Sequence, residues 1–312
     1  MNFPSITRPP WLTRNRLIGI LVTLSLLGGG FFVFFYGKSH KTEIAAGTLN
    51  IFDKVSKLLP LEPDTKKEVD VANKLVQTFT AHDDKTYTFF VLLQNNYELR
   101  PGGGFLGQYA IVKIKNGELV STFVEDANLL DQRIKNAGIA VTPPWPLTRY
   151  MQIRKWMLRD SNFSPDFPTN AQKAEYFYRL GGGREKFDAV IAVDAVVFDH
   201  VLELTGPISI PGYSGTYSST NGALQLEEAV EKNYLGDDVS AIAKENRKTI
   251  MKKLAAEIMT RLTTIDTIPK IANLVQEELR NKDIMFFFHD TSLQSLVESV
   301  HWDGSVTKDW GS

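Results

Sequence analysis

Residues 17–36, LIGILVTLSLLGGGFFVFFY, run for twenty positions without a charged side chain. As a helix at ~1.5 Å per residue such a run spans ~30 Å, the thickness of a hydrocarbon core. Arg8, Arg14 and Arg16 precede it, and Lys38 and Lys41 follow. That bias, with the short N-terminal tail, predicts a single-pass anchor whose N-terminus is cytoplasmic. The rival is a cleaved signal peptide, with AAG at 45–47 as a cut site. Its apolar core is usually only ~7–15 residues, which favours the uncleaved anchor. The expected plan is a cytoplasmic tail at 1–16, a membrane span at 17–36, a helical membrane-proximal segment at 37–85 and an extracytoplasmic domain at 86–312.

The 312 residues are 43% hydrophobic and 23% charged, an ordinary globular balance. Net charge is −1, which gives no reason to expect a nucleic-acid partner. There is no cysteine, so disulfides, zinc–thiolate sites and thiol nucleophiles are excluded.

Residues 48–82 read as amphipathic helix, broken by the prolines of LPLEPD at 59–64. This segment is either a membrane-proximal stalk or a packing helix of the domain. TYTFFVLL (86–93) reads as a buried strand, β-branched and aromatic without polar alternation. YAIVKI and ELVSTFV read as a hairpin turned at Asn116-Gly117, a pair suited to a type I′ turn. Residues 126–147 read as irregular, with TPPWP at 142–146, and LTRYMQIRKWMLRDSN as a helix ending near Arg159.

AQKAEYFYRL is a helix closed by Gly181–Gly183. DAVIAV is a buried strand followed by a helix over 195–204, with Asp194 as its N-cap and Gly206-Pro207 as its stop. ISIP begins a short strand. Helices follow at 224–235, 238–264 and near 267–281, then the strand IMFFFH and a helix at 291–299. Strands alternating with helices predict an α/β fold, a mixed central sheet flanked by helices.

The five histidines, at 40, 82, 200, 289 and 301, show no paired ligand spacing, and no GxSxG elbow exists. The glycines 102–104 are followed by a strand and by no GK[ST], so neither a Walker loop nor a dinucleotide fingerprint is present. They make either a tight turn or a nest of amides for an anion. Arg247 falls on the same helix face as Ile250, Met251, Leu254, Ile258 and Leu262. A cation there needs a counter-anion, either a protein carboxylate or a bound phosphate. Arg261 lies near that stripe too. Arg159, Asp160 and Asp166 stand close together in MLRDSNFSPDFP. They are either caps and ion pairs or the carboxylates and guanidinium of a magnesium–phosphate site.

The blocks LLQNNYELRPGGGFLGQYAIV, LRDSNFSPDFP, FDAVIAVDAVVFDHVLELTGPI and HWDGSV resemble the bacterial domain-of-unknown-function family 4012 (DUF4012), from about residue 50 to the end. Members look like extracytoplasmic proteins with one N-terminal membrane helix. The family's domain typically continues beyond the WDG block, which implies that this chain stops short of its end. A more distant likeness is to the LytR–CpsA–Psr phosphotransferases, carried by residues 187–206 with GPISIPG and by the helix near Arg247. Those enzymes transfer glycopolymers from polyprenyl pyrophosphate lipids. The likeness implies Arg100, Arg159, Asp160 and Arg247 as the anion and metal ligands. With the local readings, the candidate site is Arg100, Gly103, Gly104, Arg159 and Arg247 for phosphate, with Asp160 and Asp166 as catalytic and Mg²⁺-holding carboxylates. That family's PRD block has no direct counterpart: VEDANLLD (124–131) stands roughly in its place, without the arginine.

The expectation is a membrane-anchored extracytoplasmic protein of the cell envelope that binds or transfers a polyprenyl pyrophosphate-linked glycopolymer, with Mg²⁺ as cofactor. The alternative is a non-catalytic scaffold or interaction module of the cell surface. Geometry separates them. A pyrophosphate site needs Arg100, Arg159 and Arg247 within ~10 Å of one cleft and unneutralised; a scaffold needs each arginine already paired with a carboxylate.

Overall fold

The computed structural model describes residues 62–213, 215–231, 253–254, 257–258, 260–261 and 268–306. The proposed span at 17–36 and Arg247 lie outside them. Among the described residues no helix is long and apolar enough to cross a membrane.

The first described helix, α1 (Pro63–Thr80), starts on a proline, which sits well where helix amides have no partner anyway. Strand β1 (Thr86–Asn95) then forms the centre of a five-stranded sheet of order β3-β2-β1-β4-β5. Strands β2 (Phe105–Lys115) and β3 (Glu118–Asp126) form an antiparallel hairpin beside it. The hairpin turns at Asn116 (φ 52°) and Gly117 (φ 77°), the two positive φ angles that a type I′ turn requires. Strand β4 (Ala189–Asp194) is parallel to β1, and β5 (Ile284–Phe288) is antiparallel to β4.

Because side chains alternate along a strand, β1 feeds two cores. Phe90 and Leu92 point to one face and pack with Leu130 and Ile134 of α2 (Ala127–Asn136) and with Ala171, Ala174 and Phe177 of α4 (Phe167–Leu180). Tyr87 and Phe89 point to the other, with Val69, Ala72 and Leu75 of α1, Val275 and Leu279 of α7 (Ile268–Asn281) and Trp302. Burial on both faces explains the missing polar alternation in TYTFFVLL. It also makes α1 a packing helix of the domain: Glu68 accepts from Gln276 Nε2 at 2.6 Å and from Arg280 Nε and Nη2 at 2.9 and 2.7 Å, tying α1 to α7.

Three local expectations are corrected. Residues 127–136, read as irregular, form α2: the Asp126 side chain caps it by accepting from Asn128 N, and Ala127, Leu130 and Ile134 bury one stripe. The helix expected from Leu147 to near Arg159 is instead a short α3 (Trp145–Met151) and a 3-10 turn (Leu158–Asp160). Gln152, left-handed at φ 56°, turns the chain between them. ISIP forms a single bridge, Ile208 with Tyr217, within a small third core that includes Leu202, Leu254 and Ile258. The remaining helices are α5 (Val196–Thr205), α6 (Gly222–Glu231) and α8 (Thr291–Glu298).

Candidate functional site

Strands β1 and β4 are parallel neighbours, so Gln94 and Asp194 end them side by side. In open α/β sheets ligands favour the carboxyl ends of such strands. Here the QNNYELRPGGG loop leaves the sheet at that edge and packs on the LRDSN segment.

Arg100 does not face an open cleft. Its side chain is 6% exposed, as is that of Asp160. Nη2 donates to Asp160 Oδ1 at 3.2 Å and to Glu98 Oε1 at 2.9 Å, Nη1 donates to Leu99 O at 3.0 Å, and the guanidinium lies over the Phe105 ring. Burial pushes the Asp160 carboxyl up, and Arg100 works against that shift. Arg159 is likewise partnered: Nη1 donates to Asn128 Oδ1 at 2.7 Å. Its Nε lies 3.2 Å from Asp131 Oδ2, near enough for an ion pair but without hydrogen-bond alignment. Asp131, which also accepts from Leu158 N, is pushed up to about 6 by burial.

The glycines serve close packing. The amide of Gly102 donates to Asn162 O and that of Gly103 to Arg100 O, at 3.1 and 3.2 Å, so neither is aimed at an anion. Gly103 holds φ 119°, and a methyl group there would stand 2.3 Å from Gln94 Oε1. Gly104 O accepts from Asn162 Nδ2, and a methyl on Gly104 would strike the Asn95 carbonyl. The RPGGG loop is thus clamped onto LRDSN at Arg100, Gly102 and Gly104. The Asp166 carboxylate caps α4, accepting from Thr169 N at 3.0 Å and Thr169 Oγ1 at 2.5 Å, and it also accepts from Val306 N at 3.1 Å. With Phe167 N donating to Gly304 O, this joins SPDFP to the WDGSV block.

The structure therefore brings Arg100, Asp160, Arg159 and Asp131 together as two adjacent ion pairs and gives Asp166 a capping role. Among the described residues no set of three or more acidic or histidine side chains is arranged to hold a metal. The donors expected for Mg²⁺ do not fit one: Asp160 is engaged by a guanidinium that would repel a dication, and the Asp166 oxygens accept from amides and a hydroxyl.

Asp194 is the second surprise. It does not cap α5. Asn96 Oδ1 does so from a hundred residues away, accepting from Val196 N at 3.2 Å. Released from capping, Asp194 is 5% exposed, and its Oδ1 has no hydrogen-bond partner. Burial first, then Asp283 and Glu278, push its carboxyl up to about 8. Gln94 beside it is 2% exposed, and neither of its amide atoms has a partner. Both side chains approach the Cβ direction of Gly103. Glu278, raised to about 7 chiefly by burial, is held at 2.6 Å by His200 Nδ1. Burial thus favours the protonated form of Asp194, which sets a carboxylic acid beside the Gln94 amide. Gln94 stood in the QNN block without being singled out; the available signal was a polar pair terminating an apolar strand.

Residues 84–230 match the model of a family described as "Protein of unknown function (DUF4012)". The resemblance to DUF4012 is thus matched over 147 of the 312 residues. The match is narrower than the range of about 50 to 312 expected from the motif blocks, and it leaves out β5 and HWDGSV. No curated protein matches the chain significantly. Among solved structures, the crystal structure of the transcriptional regulator yvhJ from Bacillus subtilis is similar. Its identity is 14% and its TM-score 0.33, over 69% of this chain and 78% of that one, a likeness too loose to place any residue.

Proposed function

We propose that the chain is a membrane-anchored, extracytoplasmic interaction module of the cell envelope and that it does not catalyse glycopolymer transfer. Its anchor is the uncharged run 17–36, with the N-terminus cytoplasmic. The observation that carries the reading is that Arg100 and Arg159 are already paired with the buried carboxylates of Asp160 and Asp131. A pyrophosphate would have to break the Arg100–Asp160 pair, and breaking a pair buried on both sides costs roughly 3–5 kcal/mol. Asp160 and Asp166 are engaged in the same framework, which supports a scaffold more than a metal-assisted transferase.

The test is equilibrium binding of farnesyl pyrophosphate, with and without Mg²⁺, to the full chain in detergent. The proposal expects no saturable binding, and expects Arg100→Gln to lower the unfolding midpoint only. Saturable, Mg²⁺-dependent binding that is lost in Arg100→Gln or Arg247→Ala would restore the lipid pyrophosphate reading.

A further inference from the structure

Between Asp131 and Asp160 the chain has no acidic residue, although its net charge is −1 overall. At the tip of this stretch, α3 carries three exposed large apolar side chains: Trp145 at 68%, Tyr150 at 74% and Met151 at 43%. The Trp145 and Tyr150 rings lie 5.8 Å apart. Around them Arg149, Arg154 and Lys155 are exposed and have no ion pair among the described residues.

This tip is held firmly. Leu147 is fully buried, and its carbonyl accepts from both Gln152 N and Ile153 N. Trp156 N donates to Val141 O at 2.8 Å, its Nε1 donates to Asp160 O at 2.8 Å, and its ring packs edge-on against Phe177. The aromatic side chains are therefore presented by a braced segment. Packing that explains Leu147 and Trp156 leaves Trp145 and Tyr150 unexplained, and exposed apolar patches of this kind mark contact surfaces.

We infer that this face docks on an anionic phospholipid surface. Amphipathic rings sit at the headgroup level, with their apolar bodies toward the acyl chains. Cations beside them that have no ion pair among the described residues gain from anionic headgroups. The three cations with no acid among them supply the charge complementarity, and the aromatic tip supplies what a purely polyanionic partner would not need. The inference rests on the anchored placement proposed above, which keeps the domain within reach of a bilayer.

The absence of cysteine allows a clean probe. The full chain carrying Thr148→Cys, labelled with an environment-sensitive thiol dye, is reconstituted into phosphatidylcholine vesicles with and without phosphatidylglycerol. Docking predicts blue-shifted emission and quenching by lipid-borne quenchers only with phosphatidylglycerol. The combined Arg149→Glu, Arg154→Glu and Lys155→Glu variant should return quenching to the level of a Ser295→Cys control probe. Trp145→Ala with Tyr150→Ala should do the same, which covers the case in which the charge variant misfolds. A chain that co-floats with the vesicles while the probe stays aqueous in both lipids overturns the docking and leaves the anchor intact. A chain that does not co-float overturns the anchor and the docking with it. A shift produced by soluble poly(glycerol phosphate) without anionic lipid overturns the lipid assignment in favour of a polymer.

Discussion

Arg100 Nη2 lies 3.2 Å from Asp160 Oδ1, with both side chains 6% exposed. This pair joins two loops that are sixty residues apart in sequence, and it places Arg159 next to the neighbouring carboxylate of Asp131. A guanidinium beside a flexible glycine loop suggests a ligand site from sequence alone; in the fold it is a rivet.

Removing one partner should therefore be worse than removing both. Arg100→Gln leaves a buried carboxylate uncompensated, and Asp160→Asn leaves a buried cation with only Glu98 beside it. Each is expected to cost roughly 3–5 kcal/mol, whereas Arg100→Met with Asp160→Leu recovers much of that loss. Urea denaturation of the three variants gives the comparison. Equal, additive losses in the double variant would show that the pair is not coupled.

Gly103 combines a positive φ with a close approach in the same loop. Alanine there would sit at φ 119° against Gln94 Oε1, combining backbone strain with overlap, and should cost roughly 3 kcal/mol or more. Gly107, in β2, has nothing within 4 Å of its Cβ direction. Gly107→Ala should change stability by less than about 1 kcal/mol, and in the stabilising direction if at all. Thermal unfolding of the two variants side by side checks the contrast.

Local chemistry was legible and long-range partnership was not. The Asn116-Gly117 turn, the doubly buried β1 and the stop at Gly206 follow from residue type and period, and each stands where expected. Helix α2 was legible too: Asp126 before Ala127, Leu130 and Ile134 is a cap followed by an apolar stripe, outweighed by the nearby prolines. The partners of Arg100 and Arg159 carry no local signal, because only the tertiary fold sets Asp160 beside the first and Asp131 beside the second. The same holds for Asp194, whose expected cap is supplied by Asn96, the product of a parallel pairing that no local pattern announces.

Asp166 separates a structural from a metal role. As the cap of α4 and an acceptor for Val306 N, it should cost about 1–2 kcal/mol when changed to alanine, and Asp166→Asn should keep much of the cap. Neither variant should alter the effect of Mg²⁺ on the unfolding midpoint, because the wild-type midpoint is expected not to respond to Mg²⁺. A magnesium-induced rise in the midpoint of wild type that both variants abolish would give Asp166 back its role as a ligand.

The raised carboxyl of Asp194 fixes the sign of a pH dependence. Its folded value, about 8, lies above the ~3.9 of an unfolded aspartate, so the folded state binds the proton more tightly. Its contribution to stability is fully present below about pH 4 and is lost as pH rises from there through about 8, with a slope of at most about 1.4 kcal/mol per pH unit. Asp131 and Glu278, raised to about 6 and about 7, add losses of the same sign within narrower windows. Asp194→Asn removes only the Asp194 part, so its stability relative to wild type should climb steadily between pH 5 and pH 8, with the amide variant the more stable at the upper end. Urea midpoints across that range give the difference curve. A flat curve would mean that Asp194 is ionised in the fold at neutral pH, and the neutral hydrogen-bonding set at the ends of β1 and β4 would then be a charged one.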